Sequence, residues 1–430
     1  MKLNPFIYQL SWFLLTPFIH FYLYLRIWQK KEDKLRIKER FGQNYQTSRP
    51  KGKLIWLHAV SLGESNAAIN LVTSLQKARQ NWNFLITTNT LTAAEHIKKN
   101  CFNMPVIHVF QPLDHPAWVS RFMNYWQPDS ALFLESDFWY NLITQPKKKP
   151  LPIIFASSQI SQLAKARWEK NPALAKQIFS SPSLILTIND EQKEHFKQLT
   201  NIAAYGNRPK IIKIGSLKTK YPDNSSTSSY EKALKRYAND SKSIMILAAS
   251  THENEEELIA NAILKTSISQ HFLIIFAPRH PSRARKIIAQ LGEMPRRSKG
   301  ELPISNNPYF LSDSLGEMRS LYSVADIIIL GGSFFQSGGH NPIEPALAGK
   351  QIICGRSIFK NKSDYEELIN IGMIHQVLSN NTLNYTLQQT LSPTKAIKKA
   401  LINGQKFAQE ACMRPTKAAH YIISTIEQKS

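Results

Sequence analysis

Acidic residues are in short supply. Asp and Glu number 31 against 54 Lys and Arg, giving a formal net charge of +23 over 430 residues. Such an excess draws polyanions, whether nucleic acid, an anionic membrane surface or phosphorylated substrates. No RNP-like pattern, zinc-finger spacing or long basic block is present, which leaves nucleic acid the weakest of the three. Cysteine is scarce as well. Cys101, Cys354 and Cys412 are far apart, odd in number and without a CxxC spacing. That excludes a disulfide framework, speaks against structural zinc, and fits a reducing compartment. No DxD pair and no His/Asp cluster with ligand spacing occurs, so neither a catalytic metal nor another cofactor is expected. No repeat with a period of 20 to 50 residues is visible. What remains, with 43% apolar residues, is a chain able to build two ordinary cores.

Residues 5–25, PFIYQLSWFLLTPFIHFYLYL, are mostly apolar and rich in aromatics. The basic flank follows them, with Arg26, Lys30, Lys31, Lys34, Arg36, Lys38 and Arg40, and no cleavage site is found. A secretory signal has the opposite order. Gln9, Thr16 and His20 fall near one helical face, which suits a helix lying in the membrane interface. A single span is the rival, since about 20 apolar residues cross a bilayer. Either way the basic flank belongs on the cytoplasmic side, against anionic lipid.

From residue 54 onward, short apolar runs alternate with amphipathic stretches: LIWLHAV, NFLITT, PVIHVF, SALFLE, LPIIFAS and LILTIN. This is the mark of βαβ units and a parallel sheet. A polar, Ser-rich stretch at 219–231 interrupts it, and SIMILAA, HFLIIFAP, ADIIILGG and KQIICG then resume it. The expected plan is an apolar segment at 1–30, an α/β domain at 31–220, a linker at 221–232, and a second α/β domain at 233–430 whose last helix packs back. Ligands of such sheets bind beyond the carboxyl ends of the strands, so a cleft between two facing domains is the expected site.

Chemistry-bearing residues do follow the strands. GGSFFQSGGHNPIEPALAGK, 331–350, follows ADIIIL. Asn341 as N-cap, Pro342 at the first helical position and Glu344 at the third would make a capping box. The same stretch reads equally as an anion site, with glycine-bared amides at a helix start and Glu344 accepting sugar hydroxyls. Glu64 in HAVSLGE is either an acid favoured by a helix dipole or a general base. Glu135 and Asp137 in LESDFW are either paired within the fold or exposed at the site. Lys218, Ser250 with His252, and Arg279 with His280 also follow strands, and together they suggest an anion-lined surface.

HAVSLGE, LESDFW, GSLK, ASTHENEE, APRHP, the LGEM of 315–318 and above all GGSFFQSGGHNPIEPA resemble, in order, the 3-deoxy-D-manno-octulosonic acid (Kdo) transferases of Gram-negative bacteria. The resemblance runs to about residue 375. It implies a GT-B fold: two Rossmann-like, doubly wound α/β domains facing a cleft, plus the N-terminal membrane-associated helix. It also implies a CMP-Kdo donor, a lipid IVA acceptor, no metal, and a place on the cytoplasmic side of the inner membrane. By the same resemblance Glu64 matches the general base and Glu135 a second carboxylate of the cleft. Lys218 and Arg279 match basic residues near the donor's carboxylate and phosphate. Ser250, Gly316 and Gly339 match donor-binding loop positions, and Asn341 and Glu344 match residues holding the CMP moiety. Tyr140 stands where the family has Pro, and Ser216 where it has Asn.

The implied reaction is an inverting displacement. Glu64 takes the acceptor hydroxyl's proton, while Arg279, Lys218 and the amides after Gly339 stabilise the departing phosphate. A soluble UDP-sugar epimerase of GT-B-like fold and a basic membrane scaffold without activity are the alternatives. The apolar segment speaks against the first, and Glu64, Arg279 and Glu344 together against the second.

Overall fold

The computed structural model describes residues 4–146, 151–202, 208–219, 227–266, 271–379, 382–391 and 394–428. The chain forms two compact units, 1–220 with 412–430, and 221–411.

The first unit holds seven parallel strands: β1 Leu54–His58, β2 Asn83–Thr88, β3 Val106–Phe110, β4 Ser130–Leu134, β5 Ile153–Ser158, β6 Leu184–Thr187 and β7 Lys210–Lys213. Their order is β3-β2-β1-β4-β5-β6-β7. β1 and β4 are buried along their whole length, as strands covered on both faces must be. Two core clusters form from their alternate residues. Ile55, Leu57, Leu132 and Leu134 face one way and Leu54, Trp56, Ala131 and Phe133 the other. The second unit repeats the plan with β8 Ile244–Thr251, β9 Phe272–Pro278, β10 Tyr309–Leu311, β11 Ile327–Leu330, β12 Gln351–Cys354 and β13 Ile374–Gln376, in the order β10-β9-β8-β11-β12-β13. Each sheet therefore reverses direction once, between β1 and β4 and between β8 and β11. The crevice at that reversal is where doubly wound sheets bind ligands.

The last helix, Arg414–Glu427, numbered with 233–430 and expected to pack back, groups with the first unit. Ala418, Ala419, Ile422, Ile423 and Ile426 join the first unit's core beside Ala67, Leu71 and Leu75 of α2 (Leu62–Ala78). This 3–4 spacing makes one apolar stripe, and α2 is the face it covers. Arg79 and Glu427 close the end of the pair at 2.7 Å. Of the linker expected at 221–232, residues 221–226 lie outside the described residues. The rest is mostly helix, because Ser228 accepts the Glu231 N–H and caps the helix Ser229–Ser241.

The apolar N-terminus is the 24-residue helix α1, Pro5–Trp28, ~36 Å long. It lies against the first unit along its length rather than standing free. Tyr8 donates to Asp114 at 2.7 Å and meets Tyr140 edge-on at 5.3 Å. Phe13 meets His115, and His20 stacks on Phe41. At the far end Arg26 pairs with Glu32. The opposite face leaves Phe6, Leu14, Phe18, Phe21, Tyr24 and Trp28 exposed.

Candidate functional site

In the first unit the strand ends converge on one cluster of charge. The chain turns after β1, and Ser61 caps α2 by accepting the Glu64 N–H at 3.3 Å. Glu64 reaches back so that its Oε2 accepts the Val60 N–H at 2.6 Å. This is the reciprocal logic of a capping box, so the acid does serve the helix start. It also does more. Its carboxyl is buried, and desolvation raises its pKa above the ordinary carboxylate range. Glu135 and Asp137 push the same way, against the Val60 amide and His58. One oxygen is thus anchored, while Oε1 takes no hydrogen bond among the described residues.

Glu135 stands at the end of β4 with φ +58°, in the left-handed region that non-glycine residues seldom adopt. Such a conformation costs ~1–3 kcal/mol and persists only where surroundings impose it. Here Gln159 donates to its Oε2 at 3.0 Å and Lys218 Nζ lies 2.7 Å from its Oε1. Lys218 is held from two sides. The neighbouring Leu217 N–H donates to Ser157 Oγ at 3.3 Å, and the Leu217 carbonyl accepts from Asn70 at 2.9 Å. Ser157 itself has φ +54°, where the pairing of β5 with β6 shifts register. The Lys218 ammonium also lies 3.6 Å from where a side chain on Gly63 would begin, next to Glu64.

Sequence reasoning missed one member. His58 ends β1 fully buried, with Nε2 at 2.8 Å from Asp137 and Nδ1 at 2.9 Å from Thr87 Oγ1. A carboxylate only accepts, so the Nε2 proton points to Asp137. The available signal was a polar ring in the last position of an otherwise apolar strand, which pairs directly with the strand that LESD ends.

The second unit gathers a different set. Ser250 has φ +54° where β8 ends, and Glu255 accepts the N–H groups of His252 and Gly332 at 2.8 Å each and of Phe334 at 3.1 Å. One buried carboxylate thereby ties the loop after β8 to the loop after β11. His252 and His340 stack, with Nε2 atoms 2.9 Å apart. Desolvation, then His252, Arg279 and Lys360, depress the His340 pKa to about 4. Desolvation also lowers that of His252. Burial thus disfavours the charged form of both rings, and one N–H lies between them. Arg279 and Lys360 are exposed beside them.

Two expectations about 331–350 fail. The amides of the glycines are not bare. Gly331 donates to Ala249, Gly332 to Glu255, Gly338 to Ser357 Oγ and Gly339 to Gly332. The glycines serve close approach instead. A Cβ on Gly331 would sit 2.6 Å from the Ser250 carbonyl oxygen, and one on Gly339 2.9 Å from the Tyr365 hydroxyl. Nor does the capping box form. The helix is a single turn, Ile343–Leu347, with Pro342 in the capping position and no side-chain cap. Asn341 Oδ1 accepts the Ile343 N–H at 3.0 Å, one residue out of the expected register. Glu344 is left with a solvent-facing carboxyl crowded enough for desolvation to raise its pKa. Gly316 has φ +90° and open space around it. Among the described residues no hydrogen bond or ion pair links its loop to the histidines; Glu317 beside it pairs with Arg297 at 2.7 Å. So Glu64, Glu135 and Lys218 form one group in the first unit. Ser250, Arg279 and Gly339 converge around His252 and His340 in the second, with Asn341 and Glu344 just beyond.

A family model described as 3-deoxy-D-manno-octulosonic-acid transferase (kdotransferase) matches residues 35–220. The 3-deoxy-D-manno-octulosonic acid transferase of Rickettsia bellii is 30% identical over 417 residues, which cover 94% of this chain and 95% of the relative. A probable mitochondrial transferase of the same name from Arabidopsis thaliana is 34% identical over 374 residues, 83% of this chain and 81% of that one. Among solved structures, a glycosyltransferase from Rickettsia africae superposes with a TM-score of 0.58 at 15% identity, covering 89% of this chain and all of the other.

Proposed function

The chain belongs to the Kdo transferase family and is a glycosyltransferase that transfers Kdo; from that premise we propose that it takes Kdo from CMP-Kdo and places it on lipid IVA, at the cytoplasmic face of the inner membrane. The observation that carries this reading is the triad at the β1–β4 reversal. An anchored Glu64 with a raised pKa lies beside a Glu135–Lys218 ion pair. A sugar hydroxyl is a weak nucleophile and needs a base within hydrogen-bond reach whose pKa is not far below the working pH. Glu64 Oε1 takes the acceptor hydroxyl's proton as the oxygen attacks the anomeric carbon. The bond from that carbon to the CMP phosphate breaks with its electron pair, and the anomeric centre inverts. Lys218 balances the charge of Glu135 and meets the Kdo carboxylate. Asp137 and His58 hold the β4 loop in place.

In the second unit the phosphate of CMP meets Arg279 and Lys360, beside the histidine pair. Charged side chains replace the amides in that role. Glu344 accepts ribose hydroxyls. Side-chain cations suffice on this reading, without a resident metal.

The docking of α1 along the first unit favours attachment in the plane of the membrane over a span, since one face is committed to protein and the other is apolar and open. Of the seven flanking cations, Arg26, Arg36 and Arg40 are taken by Glu32 and Glu39. Lys30, Lys31, Lys34 and Lys38 are exposed and face anionic lipid. Incubating the chain with CMP-Kdo and lipid IVA and weighing the lipid tests the reading. A product heavier by Kdo units is expected; unchanged lipid, or turnover of a UDP-sugar instead, overturns it.

A further inference from the structure

A cavity of about 670 Å³ opens beside the charged cluster, within the first unit. Its walls are Trp139 from the loop after β4, Tyr140 at the start of the helix Tyr140–Thr144, Ile160 after β5, Trp168 and Leu174 from the helices Gln162–Lys170 and Pro172–Phe179, and Tyr8 of α1. Its volume lies within the ~300–1,000 Å³ of small-molecule sites. The polar groups around it are spent on protein. The Tyr8 hydroxyl donates to Asp114, and that of Tyr140 to Gln177. Gln192 holds both the N–H and the carbonyl of Ile160. Ser161 caps its helix, and Gln159 serves Glu135. The surface offered to an occupant is therefore mostly apolar, with Ser136 and Asp137 at one end. Arg167 is exposed at the rim and in no ion pair among the described residues.

One end of the cavity touches Asp137 and Gln159, both bonded into the charged cluster, and the other touches the apolar helix α1. We propose that it receives one acyl chain of the acceptor lipid, with Arg167 at a headgroup phosphate. The proposal rests on the lipid-acceptor reading above and adds where the lipid is held. A chain lodged there leads from the membrane-facing helix to within a few residues of Glu135. It also accounts for Tyr140 in LESDFWY, whose ring forms the wall against Tyr8.

The test uses lipid IVA with a diazirine at the tip of one acyl chain, and the full-length protein. After irradiation, label is expected on peptides within 138–174, and Ala164→Phe, which fills the cavity, should remove most of it. In turnover, the preference of Ala164→Phe for lipid IVA over the deacylated disaccharide should drop at least ~10-fold, the scale on which apolar pockets discriminate. Retained activity on the deacylated acceptor reports that the variant folds, and Ala164→Val, a smaller filling, should fall between. Label confined to other segments, or unchanged by Ala164→Phe, overturns the proposal while wild-type turnover still upholds the function. Label in the cavity without turnover upholds the proposal and overturns the function.

Discussion

Replacing Glu64 by Gln separates catalysis from folding. The amide oxygen of Gln can still accept the Val60 N–H that Glu64 Oε2 holds at 2.6 Å, and Ser61 still caps α2. What disappears is the basic carboxylate. General-base catalysis contributes ~10²–10⁴-fold, or about 2.7–5.4 kcal/mol, and kcat/KM should fall by that much. Stability moves the other way. The folded-state pKa of Glu64 is raised by burial. The stability its proton confers is therefore complete below the unfolded value of about 4.3 and is lost as pH rises through the folded value. At pH 7.5 the wild type carries a desolvated charge that Gln does not, so Tm of the variant should be equal or higher. The wild-type profile of kcat/KM should drop on the acid side at a pH above the ordinary carboxylate range, and Glu64→Gln should lack that limb. The assay is initial-rate transfer to lipid IVA from pH 5 to 9, alongside thermal unfolding. A variant within about threefold of wild type, or one that keeps the acid limb, refutes the assignment.

Lys218→Met leaves Glu135 buried without its cation, and the side chain of Lys218 is 30% exposed, which discounts the loss to about 1–3 kcal/mol. Denaturant unfolding should register that, and Glu135→Gln in the same chain should restore most of it; a neutral single variant contradicts the pairing. CMP-Kdo, whose phosphodiester does not titrate in this range, should bind more tightly in acid. Burial and nearby cations push His340 down to about 4, and a phosphate nearby raises it, so affinity rises as pH falls from 8 toward 5. Calorimetry checks this, and a flat or opposite trend counts against the histidine pair. Changing Lys30, Lys31, Lys34 and Lys38 together to Gln should weaken binding to anionic vesicles by up to about 4 kcal/mol at low salt, with little effect on neutral ones. Equal binding to both vesicle types would remove electrostatics from the attachment.

The strands were legible because a parallel strand buried on both faces is a continuous apolar run, and β1, β2, β4, β8 and β9 each announce themselves so. The site was legible in part, since strand ends are where such sheets place chemistry. What escaped depends on contacts between distant segments. Nothing local reveals that Glu255 or Ser357 would take the amides of Gly332 and Gly338. The helix starts one residue later than expected, with Pro342 and not Asn341 in the capping position, so no capping box forms. The final helix reads as amphipathic, but only the bare face of α2 tells which unit it covers. Charge counting could not foresee that three arginines of the basic flank would be paired with Glu32 and Glu39.

The account turns on what meets the donor's phosphate. A crystal of the protein grown with CMP addresses that without relying on turnover. The phosphate is expected against Arg279, Lys360 and the His252–His340 pair, with the ribose toward Glu344. Nucleotide bound elsewhere, with those side chains unchanged, would contradict it.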